Sequence, residues 1–139
     1  MGGLTAVVLA AGIGRRLGRP SVPKSLLPLS HEEGGPTFLG RHVGILRDCG
    51  VDEVLVVLSE GNVDSAQHLE GVELVVNTFD TSTTGSTLSL LCGLRAAACH
   101  DGGLLITDAD IVYERTLLES VIGSCGRSCL FLAPQVSGD

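Results

Sequence analysis

The residues best equipped for chemistry cluster early in the chain, between Thr5 and Pro28. Four apolar residues, Ala6-Val7-Val8-Leu9, run into Ala10-Ala11-Gly12-Ile13-Gly14-Arg15-Arg16-Leu17-Gly18, and Pro23-Lys24-Ser25 follows shortly after. With no side chain at Gly12 or Gly14, backbone N–H groups can close on phosphate oxygens, while Arg15, Arg16 and Lys24 add fixed positive charge around them. This is equipment for a polyanion. Arg15, Arg16, Arg19 and Lys24 are four of only nine basic residues in a chain of net charge −7. Nucleic-acid binding relies on many Lys and Arg spread along a stripe, so the local concentration points to a small phosphorylated ligand and no nucleic acid.

Two further groups carry chemical potential. Asp108 and Asp110 end an apolar run, and two carboxylates one residue apart can both reach a divalent ion where the backbone turns. Hard oxygen ligands suit Mg²⁺ bridging phosphates, although the same pair also serves as a solvated turn or as a cap for a helix starting near Glu114. The third group is Thr84-Gly85-Ser86-Thr87-Leu88-Ser89-Leu90. A helix N-terminus preceded by small polar residues holds an anion or reads a base edge, and simple capping by Ser86 or Thr87 competes with that role. His31, His42, His68 and His100 lack partners at helical or strand spacing and are expected on the surface or in loops.

Strands and helices alternate, which predicts an α/β fold with a mainly parallel, Rossmann-like sheet covered by helices on both faces. After the first strand, residues 12–36 read as a functional loop, because Pro20, Pro23, Pro28 and Pro36 forbid a continuous helix. A helix is predicted from about Thr37 to Cys49, with Phe38, Val43, Ile45 and Leu46 on its buried stripe and Gly50 at its C-terminal end. Glu53–Leu58 is a strand buried on both faces, Asn62–Glu70 a short helix capped by Asn62, and Val72–Val76 the third strand. A polar loop from Asn77 to Ser86 leads into a helix reaching about Cys99, with Leu88, Leu91 and Leu94 along one side. Gly103–Thr107, a helix over Glu114–Gly123 and a last strand, Cys129–Ala133, complete the pattern.

At 139 residues and 44% hydrophobic content the chain suits one domain with a real core, built from aliphatic side chains because only 3% are aromatic. The five cysteines are odd in number and none forms a C-x-x-C pair, so they read as reduced thiols of a cytoplasmic protein. Leu4–Ala11 is too short to span a membrane, and no membrane association is expected.

The glycine loop does not read as a dinucleotide fingerprint. That motif needs a helix beginning at the glycines and an acidic residue about 20 positions on, and here prolines cut off the helix. No G-x-x-x-x-G-K-[ST] occurs either. Leu9-Ala10-Ala11-Gly12-Ile13-Gly14-Arg15-Arg16-Leu17 with Pro23-Lys24 instead resembles the L-A-A-G-x-G-x-R-[LM]…P-K signature of the nucleotidyltransferases. That superfamily includes sugar-1-phosphate nucleotidylyltransferases, bacterial phosphocholine cytidylyltransferases and molybdenum-cofactor guanylyltransferases. The position of Arg15 is often Ser or Thr there.

The resemblance implies a nucleotide-diphospho-sugar transferase fold of the GT-A-like type, of which residues 1–139 are the nucleotide-binding half. It implies nucleotide contacts at Leu9, Ala10, Ala11, Gly12, Gly14, Arg15, Ser86 and Ser89, catalytic roles for Arg16 on the leaving phosphates and Lys24 at the reacting phosphate, and Mg²⁺ held by Asp108 and Asp110. The expected reaction joins a nucleoside monophosphate, from an NTP, to a phosphorylated small molecule such as a sugar 1-phosphate or a phosphocholine-like alcohol phosphate. A cytidylyl donor is favoured by the Ser89-Leu90 pair. The second half of the family pattern, with acceptor contacts and a further metal-binding Asp, has no match before Asp139, so the chain reads as truncated. A nucleotide-binding module without turnover is the competing expectation, and the last strand's open edge suits a missing segment or a second copy of the chain.

Overall fold

Four of the apolar runs lie side by side as strands, all parallel, in the order β3-β2-β1-β4. The computed structural model describes residues 3–12, 18, 22–80, 85–98 and 102–124. Strand β1 is Gly3–Leu9, β2 Glu53–Ser59, β3 Glu73–Asn77 and β4 Gly102–Asp108. Central β1 pairs with β2 on one side (Thr5 beside Glu53) and with β4 on the other (Gly3 beside Gly102). Val7, Val8 and residues Val54–Leu58 are fully or nearly fully buried, as expected of parallel strands covered on both faces. The expected last strand, Cys129–Ala133, lies outside the described residues.

Helix α1, Phe38–Asp48, α2, Val63–Ala66, and α4, Arg115–Gly123, contribute to the larger core. There Leu39, Val43, Leu46, Ala66 and Leu118 meet Ala6, Val8, Val54, Val56 and Leu58. Thr37 caps α1 by accepting a hydrogen bond from the Gly40 N–H at 3.0 Å. At the other end Gly50 takes φ +85°, its N–H bonds to the Arg47 carbonyl and the Val51 N–H reaches the Leu46 carbonyl, a Schellman ending that only glycine adopts cheaply. The buried stripe differs from the expected one: it is Leu39, His42, Val43 and Leu46, while Phe38 and Ile45 lie at its margins. His42 is therefore no surface residue, since it falls at helical spacing from Leu39 and Leu46 and is 1% exposed.

Helix α3, Thr87–Ala97, crosses the opposite face over β1, β2 and β3. It turns Ser89, Gly93 and Ala97 inward, and Leu91 is exposed. Of the leucines along one side, Leu88 and Leu94 are half-buried, and the small-residue stripe faces the sheet because the helix lies close on it. A Cβ at Gly93 would collide with Val7 and approach the Val57 methyl at 3.0 Å. The segment expected to be a helix over 62–70 is shorter, a 3₁₀ turn at Glu60–Asn62 and one turn of α2, and the Asn62 side chain makes no cap. A short 3₁₀ helix at Lys24–Leu26 and a bridge from Pro28 to Thr37 give local order to the long proline-rich segment. Cys49 and Cys92 carry free thiols. No helix among the described residues is long and apolar enough to cross a membrane.

Candidate active site

All four strands end at one edge of the sheet, where Leu9 stands between Val57 and Asp108. Strand pairing continues one residue further: the Ala10 N–H donates to the Val57 carbonyl at 2.8 Å, and the Ala109 N–H to the Leu9 carbonyl at 3.0 Å. Ala10, Ala11 and Ala109 are buried there, so small side chains floor the edge and leave the backbone beyond them accessible. Gly12 is exposed, its φ is not positive, and a Cβ built on it would meet no heavy atom within 4 Å. Nothing described in the fold demands glycine at this position. Gly14, Arg15 and Arg16 lie outside the described residues.

Lys24 reaches the same edge from the 3₁₀ turn. Pro23 is buried and its carbonyl accepts the Leu26 N–H at 2.9 Å, which fixes the start of the turn. The Lys24 ammonium then donates to the Asp110 carboxylate at 2.7 Å, joining residues 86 positions apart. Both side chains are more than two-fifths exposed. An ion pair this wet contributes at most about 1 kcal/mol, so an incoming phosphate or cation can replace either partner at little cost. Asp108 and Asp110 are both exposed and flank buried Ala109.

Those two carboxylates are the kind of donor that a magnesium ion shared with a triphosphate would take. Mg²⁺ is commonly held by one or two carboxylates with phosphate and water oxygens completing the set, and no larger protein cage is needed. No group of three or more His, Cys, Asp or Glu gathers to hold a metal among the described residues.

On the far side of the edge, at the end of β3, Asn77 is buried. Its amide donates to the Ser89 hydroxyl at 2.8 Å, and its carbonyl oxygen accepts the Phe79 N–H at 2.9 Å. The polar loop's first residues and α3 are thus tied together beneath the surface. Ser86 is exposed at the start of α3 and makes no side-chain cap, whereas the Ser89 hydroxyl is turned into the protein and occupied by Asn77. Asn77 escaped sequence reading because it looked like the opening of a loop.

A second unexpected group backs the site. The Arg41 guanidinium donates to the Tyr113 carbonyl at 2.9 Å, and the His42 and Tyr113 rings meet edge to face with centroids 5.0 Å apart. Both His42 nitrogens and the Tyr113 hydroxyl are buried without a hydrogen-bond partner among the described residues. Burial, and secondarily the neighbouring Arg41 charge, lowers the His42 pKa to about 4, and burial pushes the Tyr113 hydroxyl up to about 12.

A parallel sheet whose first strand feeds a glycine loop, beside a lysine and two carboxylates at the strands' carboxyl edge, defines an α/β nucleotide-binding domain. The chain belongs to the MobA-like NTP transferase domain family, whose model matches residues 6–139, and so to a family of nucleotidyltransferase enzymes. It is 35% identical over 123 residues to the CMP-5′-(3-aminopropyl)phosphonate synthase of Streptomyces rubellomurinus, a match covering 82% of this chain and 18% of that protein. Rv0371c from Mycobacterium tuberculosis H37Rv shares the fold at 28% identity and a TM-score of 0.67, over 88% of this chain and 60% of that one. The structure of Rv0371c in complex with manganese superposes with a TM-score of 0.62 at 26% identity, over 87% of this chain and 58% of the other. A nucleotidyl transferase from Methanothermobacter thermautotroptrophicus gives 31% identity and a TM-score of 0.64, over 88% and 57%. The chain spans under a fifth of the length of the curated relative and somewhat more than half that of the solved structures.

Proposed function

We propose that residues 1–139 form the donor-nucleotide half of a nucleotidyltransferase. It joins a nucleoside monophosphate, cytidylate by preference, to a small acceptor bearing a phosphate or phosphonate, and releases pyrophosphate. An acceptor oxygen attacks the α-phosphorus of the triphosphate, the bond from that phosphorus to the β-phosphate bridging oxygen breaks, and pyrophosphate departs with the electron pair. Such a reaction asks the protein for position and charge neutralisation more than for covalent chemistry.

The observation that carries this reading is the meeting of Lys24 and Asp110 at the edge where the Leu9–Gly12 segment emerges. Backbone N–H groups of the glycine loop and Arg15 bind the nucleotide, Arg16 neutralises the leaving pyrophosphate, and Lys24 attends the α-phosphate. Asp108 and Asp110 would hold a divalent ion, which when bound would draw charge from the phosphates and orient them. The manganese complex of Rv0371c supports a divalent ion, and the name of the Streptomyces relative, a CMP-phosphonate synthase, supports cytidylate.

The test is pyrophosphate release from CTP, UTP, ATP and GTP with Mg²⁺, against sugar 1-phosphates, phosphocholine and aminoalkylphosphonates. Release from CTP with one acceptor class is expected. Nucleotide binding by thermal shift with no release from any pairing assigns a binding module in place of an enzyme, and no binding of any triphosphate refutes the site.

A further inference from the structure

Asp110 opens an arch of three exposed residues, Asp110-Ile111-Val112, strung between two fixed points. On one side buried Ala109 is held by its N–H bond to the Leu9 carbonyl, so the sheet sets that end. On the other side Tyr113 is held by α1: its carbonyl takes the Arg41 hydrogen bond, and its ring stands against His42 at an interplanar angle of 88°. The ring contact packs the half-buried Tyr113 side chain against α1. The guanidinium bond is directional and charge-assisted, and so fixes the height at which the arch ends.

The same helix steadies the other partner of the ion pair. The Phe38 N–H donates to the Leu27 carbonyl at 3.2 Å, Thr37 bridges to Pro28, and Leu26 and Leu39 share one core. One rigid element therefore gauges both Lys24 and Asp110. His42 and the Tyr113 hydroxyl, both without hydrogen-bond partners among the described residues, contribute no polar tie to this fastening.

We infer that Arg41 is a positioning residue of the site: through the Tyr113 carbonyl it sets the reach of the Asp110 carboxylate toward a cation bound with the triphosphate, beside an Asp108 that the sheet itself holds. The inference rests on the reading of the site proposed above. Outer groups that orient metal-binding side chains commonly govern metal affinity by about 10- to 100-fold.

The experiment measures Mn²⁺ binding to the full chain by electron paramagnetic resonance, in the presence of a non-hydrolysable CTP analogue, with melting temperature recorded alongside. Arg41→Met keeps the aliphatic stem and removes the donor. It is expected to weaken Mn²⁺ binding about 10-fold with a melting temperature near that of the parent, and Arg41→Lys, which restores a donor, to recover most of the loss. Val112→Gly, at a position 58% exposed, slackens the arch without removing core packing and is expected to weaken Mn²⁺ in the same direction. Parent-like Mn²⁺ affinity in Arg41→Met overturns the inference, and should that variant fail to fold, parent-like affinity in Val112→Gly does so. Asp108→Asn separates the two levels. If it binds Mn²⁺ as the parent does, the reading of the site falls and the inference with it, whereas loss in Asp108→Asn with none in Arg41→Met overturns the inference alone.

Discussion

The two flanks of the site are held together by opposite means. Beside β3, Asn77, Ser89 and the Phe79 N–H form a knot of neutral hydrogen bonds, one buried and one half-buried, whereas beside β4 the closure is an exposed ion pair between Lys24 and Asp110. Buried hydrogen bonds are costly to break because the groups left behind are cut off from water. A wet ion pair exchanges its partners freely. On the function proposed above, the difference gives the β3 flank an architectural role and the β4 flank the exchange of ligands, where charge would be traded when a triphosphate arrives.

Lys24→Ala tests the division most severely. Turnover measured as pyrophosphate release is expected to fall by about 10²-fold or more, since removal of a group that stabilises developing charge commonly costs that much. Its melting temperature should barely move, and a large drop in melting temperature would break the contrast by making the ion pair structural. Acid probes the packing behind the exchanging flank. The His42 pKa near 4 in the folded protein lies below its ordinary value of 6.5, so the unfolded chain takes up the proton first. Stability contributed by neutral His42 is complete above about pH 6.5 and is lost as pH falls toward 4, by about 3 kcal/mol in all. Denaturant midpoints between pH 7 and 4 should show this slope, and His42→Leu should flatten it.

Asn77→Ala addresses the architectural flank, with an expected loss of about 2 kcal/mol in urea denaturation as the Ser89 hydroxyl and Phe79 N–H lose their partner. A loss no greater than that of Lys24→Ala would erase the distinction between the flanks. Tyr113→Phe should have the smallest effect, within about 1 kcal/mol of the parent and in the stabilising direction, because the buried hydroxyl has no described partner to lose.

Much of this was readable from residue order. The continuous aliphatic run within Glu53–Leu58 indicates a strand buried on both faces, and Thr37 and Gly50 mark the ends of α1 by local chemistry alone. Lys24 and Asp110 stood out by type, and the structure brings them together. What escaped were features settled by tertiary packing. In α3 both the leucine stripe and the Ser89-Gly93-Ala97 stripe have helical spacing, and hydrophobicity favours the first; closeness to Val7 and Val57 selects the second. His42 was hidden by its polarity, although its spacing from Leu39 and Leu46 was the available signal. The Arg41–Tyr113 bond joins a side chain to a backbone carbonyl 72 positions away, and no local pattern encodes such a pairing.

The strand order also carries a schedule. Strand β1 leaves the ribosome first, and β2 and β3 can settle against its side of the sheet once residue 77 has emerged. The opposite edge of β1 must wait for β4, whose Gly102 pairs with Gly3 across almost the whole described chain. Non-local pairing of this kind is slow, because a long loop must close before any contact rewards it. Lys24 is therefore synthesised long before its partner, and the β4 flank is the last part of this four-stranded edge to come into being. A nascent chain stalled before residue 102 would present β1's unpaired edge to its neighbours, and that interval is where a chaperone would have most to protect.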